Sequence, residues 1–139
     1  LGICLGLQLL FEESEEFGRH AGMGVLGGRV ERIPERYAAG GLKIPHMGWN
    51  RVARKRESVI WDGVPDGGYF YFVHSYWVRE ATLADRGLAL SETVYGEPFV
   101  SGVRRGRLYA FQFHPEKSQA AGLRLLENFA GIARRGGES

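Results

Sequence analysis

Apolar and polar positions change period several times along this chain, and each change marks an element. Residues 1–4 read as the last residues of a buried strand. From residue 5 to about 17, Leu9, Leu10 and their apolar neighbours share one face while Glu12, Glu13, Glu15 and Glu16 point outward. That spacing predicts a helix, with Gly18 as its stop. Residues 24–33 alternate well enough for a strand, weakened by Gly27 and Gly28. A loop is predicted over 34–41, an irregular segment over 44–50, a short helical turn over 59–63 and a tight turn at 65–68. Residues 69–78 give the strongest strand signal, and their unbroken apolar start predicts burial on both faces. Further strands are expected at 88–94, 99–104 and 108–113, the last two joined as a hairpin at Arg105-Gly106. A closing helix over 119–134 would bury Leu123, Leu126, Phe129 and Ala130, with Ser118 as N-cap and a frayed tail behind it. A helix, then many strands, then a helix predicts an α/β three-layer fold with an antiparallel extension.

Composition narrows the class. The 139 residues suit one domain, and 44% hydrophobic with 24% charged residues is ordinary for a globular protein. A single cysteine excludes an internal disulfide framework and suits a reducing cytosol, so a cytoplasmic location is expected. No apolar run reaches membrane-spanning length, so no membrane is expected as a partner. A net charge of +2 is too mild to argue for nucleic acid. The local density of Arg51, Arg54, Arg56, Arg104, Arg105 and Arg107 fits a solvated face better than a docking site. The chain opens inside a strand and without methionine, so an N-terminally truncated sequence is expected.

The lone cysteine changes the picture. Gly2-Ile3-Cys4-Leu5-Gly6 followed by an apolar helical run is the cysteine form of a nucleophile elbow. Glycines flank it because bulky neighbours would crowd the strained turn. The start of the following helix should lower the thiol pKa. The plain alternative, a small buried hydrophobe, is as well supported by these five residues alone. Phe111-Gln112-Phe113-His114-Pro115-Glu116 tips the balance. Histidine at a strand end with a carboxylate two residues on can accept a thiol proton and hold its own tautomer.

Together these segments resemble the class I, triad-type glutamine amidotransferases: Gly2, Cys4, Gly6 and Gln8, then His114, Pro115 and Glu116, match the family signature. The resemblance implies their fold, flavodoxin-like with a mixed sheet, here missing its N-terminal strands. It implies Cys4 as nucleophile, His114 as general base and acid, Glu116 as orienter, the Leu5 N–H as one oxyanion donor, and Gln8, Ser75 and Tyr76 as glutamine contacts. The family's second oxyanion donor comes from a glycine-rich loop that these residues do not contain. Segments 45–50, 71–76 and 114–119 are similar to the glutaminase subunits of imidazole glycerol phosphate synthases, which act in histidine biosynthesis. That likeness implies glutamine as substrate, no cofactor, and a heterodimer with a (β/α)₈ barrel cyclase that takes up the ammonia. Trp49, Asn50 and Lys117 are the expected interface residues. A stand-alone cysteine hydrolase such as a γ-glutamyl hydrolase, the glutaminase of another biosynthetic amidotransferase, and a partner subunit with a vestigial triad remain the rivals.

Overall fold

Residues 1–138 are described by a computed structural model. Among these residues ten strands and three α-helices follow one another: β1 (Gly2–Ile3), α1 (Leu5–Leu9), β2 (Phe11–Ser14), β3 (His20–Ala21), β4 (Leu26–Arg32), α2 (Glu35–Ala39), β5 (His46–Arg54), β6 (Gly68–His74), β7 (Tyr76–Val78), β8 (Ala89–Tyr95), β9 (Glu97–Arg105), β10 (Leu108–Phe111) and α3 (Gln119–Arg135). They form one mixed sheet in the order β3-β2-β4-β7-β9-β8-β5-β6, with β10 branching from β9 and β1 lying beside β10. Among the described residues, only β1 with β10 and β2 with β4 run parallel.

Alternation along β10 separates the layers. Tyr109 and Phe111, with Phe113 just beyond, pack against Leu125 and Ile132 of α3 in an aromatic core shared with Phe70, Phe72, Trp77 and Phe99. Ala110 points to the other side, where Leu7 of α1 meets Phe11, Leu26, Val30 and Val100. The result is the expected α/β arrangement, with helices on both faces of a mixed sheet.

Several local expectations change. The first helix stops at Leu9, and residues 11–14 form β2. No apolar residue occurs from Glu12 to Glu16, so a longer helix would have no face to bury. The backbone is used by the sheet instead: β2 pairs with β4, and Gly22 N–H donates to Glu12 O at 2.8 Å. The predicted loop at 34–41 holds the short α2, which Pro34 precedes with φ −59°. The predicted irregular segment at 44–50 belongs mostly to the nine-residue β5. Its inward positions are His46, Gly48, Asn50 and Val52, while Met47 and Trp49 face out, so polarity runs opposite to the usual strand pattern.

The strand predicted over 69–78 breaks at Ser75. Its first half pairs with β5, and its second half pairs with β4 and β9. Only one face of β6 is buried; Tyr69 is 53% exposed. The hairpin before β10 forms as predicted, with Gly106 at φ 61°. In α3 the buried stripe is Gly122, Leu125 and Ile132, and Leu123 points to solvent. Ser118 occupies the N-cap position without a capping side-chain bond; its hydroxyl donates to His114 O at 2.6 Å and accepts from Tyr71 N at 2.9 Å. The tail is tied down as far as Glu138, whose carboxylate accepts from Tyr109, from Val59 N–H and from Ser58 and pairs with Arg104.

Candidate active site

Cys4 follows β1 and caps α1 with φ 53° and ψ −105°, a left-handed backbone that a non-glycine residue rarely adopts. Its N–H donates to Phe111 O at 2.8 Å, continuing the parallel pairing of β1 with β10. A Cβ on Gly2 would lie 3.0 Å from Ala110 Cβ and from the Gly6 carbonyl, so this glycine is required by packing. One on Gly6 would meet nothing within 4 Å, which corrects the expectation that both glycines relieve a clash.

The partners arrive on one edge of β6. Val73 O accepts from the Cys4 thiol at 3.7 Å, and Tyr71 O accepts from His114 N–H at 2.9 Å. Carbonyls two residues apart point the same way along a strand, roughly 7 Å from each other. The sulfur and the histidine backbone therefore hang from neighbouring positions of one edge. Pro115 opens a 3-10 turn directly after His114, and this turn brings Glu116 back to the ring. His114 Nδ1 and Glu116 Oε1 lie 2.5 Å apart. Cys4 and His114 are thus set at neighbouring positions of β6 with Glu116 on the His114 ring, and the Leu5 N–H lowers the pKa of the sulfur.

The thiol itself departs from expectation. Burial, the largest influence, pushes its pKa up from the ordinary value; Glu116 and Glu16 push the same way, while Leu5 N–H and the Gln112 side chain oppose them. A helix of five residues supplies too little dipole to outweigh desolvation.

A cavity of about 340 Å³ opens beside the elbow, lined by Leu5, Gln8, Ser14, Glu16, Phe17 and His20 among others. Glu16 is only partly exposed there, on the β2–β3 turn, although the sequence pattern placed it outward on a helix. A half-buried carboxylate in a cavity beside a thiol is a seat for a cationic group. Gln8 is 8% exposed; its amide donates to Tyr76 O and to Gln112 Oε1, both at 3.1 Å. Ser75 sits at the break between β6 and β7, where its carbonyl accepts from Ile33 N–H at 2.9 Å.

Two buried histidines stand behind that break. His74 Nδ1 lies 2.8 Å from Tyr76 O, an acceptor, so Nδ1 carries the proton. His74 Nε2 therefore accepts from His46 Nδ1 at 2.9 Å, and His46 Nε2 accepts from Asn50 Nδ2 at 3.2 Å. Burial drives both rings to the neutral form, with pKa values lowered to about 3 for His46 and about 4 for His74; each also feels a neighbouring histidine. Asn50 is thus turned inward, donating also to Val94 O at 2.9 Å. Trp49 faces outward, 47% exposed and edge-on to Tyr71, and Lys117 is exposed next to Glu116. Of the residues prominent here, Glu16 and Gln112 were not anticipated. Gln112 was legible only as a neighbour of His114.

Residues 1–132 match the family described as Glutamine amidotransferase class-I. Among curated proteins, the chain is 54% identical over 129 residues to the protein named imidazole glycerol phosphate synthase subunit HisH from Aquifex aeolicus, covering 93% of this chain and 58% of that protein. It is 45% identical over 139 residues to the protein of the same name from Moorella thermoacetica, covering 100% of this chain and 62% of that protein. The chain thus spans about three-fifths of the length of these relatives. A solved glutamine amidotransferase from Thermotoga maritima superposes with a TM-score of 0.56 at 21% identity, over 97% of this chain and 48% of that one. A second solved glutamine amidotransferase gives 0.58 at 23% identity, over 93% of this chain and 59% of that one, and both show the fold.

Proposed function

Because this chain belongs to the class I glutamine amidotransferase family, we propose that it carries the glutaminase half of an imidazole glycerol phosphate synthase. The hanging of Cys4 and His114 from neighbouring carbonyls of β6, with Glu116 on the His114 ring, is the observation that supports the reading most directly. The relatives named above are imidazole glycerol phosphate synthase subunits, and the reading places the chain in histidine biosynthesis, in the cytoplasm.

The chemistry follows from the groups present. His114 takes the Cys4 proton, and the thiolate attacks the side-chain amide carbon of glutamine. The oxygen that becomes negative is met by the Leu5 N–H. His114 returns the proton to the departing nitrogen, and ammonia leaves. Water, deprotonated by His114, then attacks the glutamyl thioester, releasing glutamate and restoring the thiol. Glu116 holds Nδ1 protonated and stabilises the imidazolium between these steps. In this reading the Glu16 carboxylate takes the α-ammonium of glutamine and Gln8 lines the same cavity, while Ser75 and Tyr76 are further glutamine contacts at the break between β6 and β7.

Ammonia released into water would be lost, so the reading includes a (β/α)₈ barrel cyclase bound over the site as a heterodimer. The exposed Met47, Trp49 and Tyr69 favour that partner over a stand-alone cysteine hydrolase, which has no use for such a face. The deciding experiment replaces the sulfur. Cys4→Ala is expected to abolish glutamate release from glutamine while the cyclase still turns over with added ammonium. Glutamine hydrolysis surviving in that variant would remove Cys4 from the reaction.

A further inference from the structure

We propose that Gln112 is a thiolate-stabilising residue, whose side-chain N–H holds the Cys4 sulfur in its reactive form. Gln112 is fully buried, and its Nε2 lies 3.7 Å from Cys4 Sγ, within the longer range of hydrogen bonds to sulfur. Its backbone is fixed by the bond from its N–H to Ser101 O at 2.9 Å.

The direction of the side chain is imposed from outside. Tyr76 O can only accept, so Gln8 must present its NH₂ to it at 3.1 Å. The same NH₂ reaches Gln112 at 3.1 Å, which makes the Gln112 atom facing it the oxygen. The Gln112 NH₂ is thereby turned toward the sulfur. The reversed amide would set two NH₂ groups against each other and an oxygen against the thiolate. His74, donating to the same Tyr76 carbonyl at 2.8 Å, keeps that anchor in place.

The bond discriminates between the two states of the sulfur. As a thiol, Cys4 donates to Val73 O at 3.7 Å. Loss of the proton removes that bond and leaves a negative sulfur facing a carbonyl oxygen. The N–H donors of Gln112 and Leu5 then gain strength, because a bond to a charged acceptor is about twice as strong as a neutral one. The carboxylates whose field reaches the sulfur are Glu116, on the turn after β10, and Glu16, on the β2–β3 turn; both oppose ionisation. Gln112 works against them from inside the sheet, where water cannot take its place.

The consequence for turnover rests on Cys4 being the nucleophile, so the test avoids turnover. Alkylation of Cys4 by iodoacetamide, followed by mass spectrometry across pH, reports the thiolate population directly. In Gln112→Met the midpoint is expected to rise by about one pH unit, a roughly tenfold slower reaction at a fixed pH below it. Gln112→Asn keeps a polar amide in the buried site but draws the donor back, and a smaller shift in the same direction is expected. It decides the matter if the methionine variant does not fold. An unchanged midpoint in a folded variant of either kind overturns the proposal. Failure here leaves the nucleophile assignment standing, because that assignment falls only if Cys4→Ala keeps its glutaminase activity.

Discussion

At Cys4, burial and two carboxylates favour the thiol, while Leu5 and Gln112 favour the thiolate. The balance leaves a sulfur that ionises less readily at rest, so the proposed reaction needs a base, the role proposed for His114. The same low-dielectric logic governs His46 and His74. Both rings are neutral in the folded chain, with pKa values lowered to about 3 and about 4, whereas in the unfolded chain they titrate near 6.5. Above pH 6.5 neither state binds the extra protons and the pair adds no pH dependence. As pH falls below 6.5 the unfolded chain takes up protons that the folded one refuses, so stability is lost progressively toward pH 4. The thermal unfolding midpoint is expected to fall by roughly 5–10 °C between pH 7 and pH 5. A flat midpoint over that interval would show that the pair takes up protons as readily in the folded chain as in the unfolded one. Cys4, His114 and Glu116 were legible in the sequence because each sits in a short local motif. Glu16 and the histidine pair were not, because a β2–β3 turn and the facing of β5 with β6 bring them to their places.

Elements went astray where polarity and burial disagree. The β5 strand was hidden because His46, Gly48 and Asn50 face inward while Met47 and Trp49 face solvent, which erases the usual alternation signal. The long first helix was suggested by an apolar face at Leu9 and Leu10 set against outward glutamates, and the sheet took the backbone because Phe11 had a core to fill. The closing helix was found with its buried stripe rotated, since Gly122 gives no apolar signal although it is buried. Gly122 lies against the turn that carries His114 and Glu116, and a Cβ there would sit 1.9 Å from Pro115 O. Gly122→Ala must therefore lift either α3 or that turn. The expected outcome is a stability loss of about 1–3 kcal/mol by denaturant unfolding. Glutaminase activity should fall at least tenfold, while Cys4 alkylation still proceeds. Full activity in Gly122→Ala would mean that the turn is not held by the helix.

At the scale of the whole molecule, β6 joins the candidate site to the exposed surface. One edge of this strand supplies the carbonyls that hold Cys4 and His114. Its outer face, with the paired positions of β5, presents Tyr69, Met47 and Trp49 at 53%, 61% and 47% exposure. A partner covering that face would bury apolar area and press on the strand from which the site hangs. Such coupling would make glutaminase activity depend on docking. Trp49 is the expected anchor, because tryptophan dominates interface energetics and here it rests edge-on against Tyr71, the residue whose carbonyl accepts from His114. Trp49→Ala is expected to weaken binding of the barrel cyclase at least tenfold, measured by titration calorimetry. Its thermal midpoint should stay close to that of the unaltered protein, because the ring is half-exposed in the isolated chain. Stimulated glutamate release should fall at low cyclase concentration and recover at saturation. Unchanged affinity would place the contact elsewhere. Lost affinity with undiminished stimulation at saturation would show that Trp49 anchors the partner without transmitting its effect, leaving β6 as the element through which docking is felt.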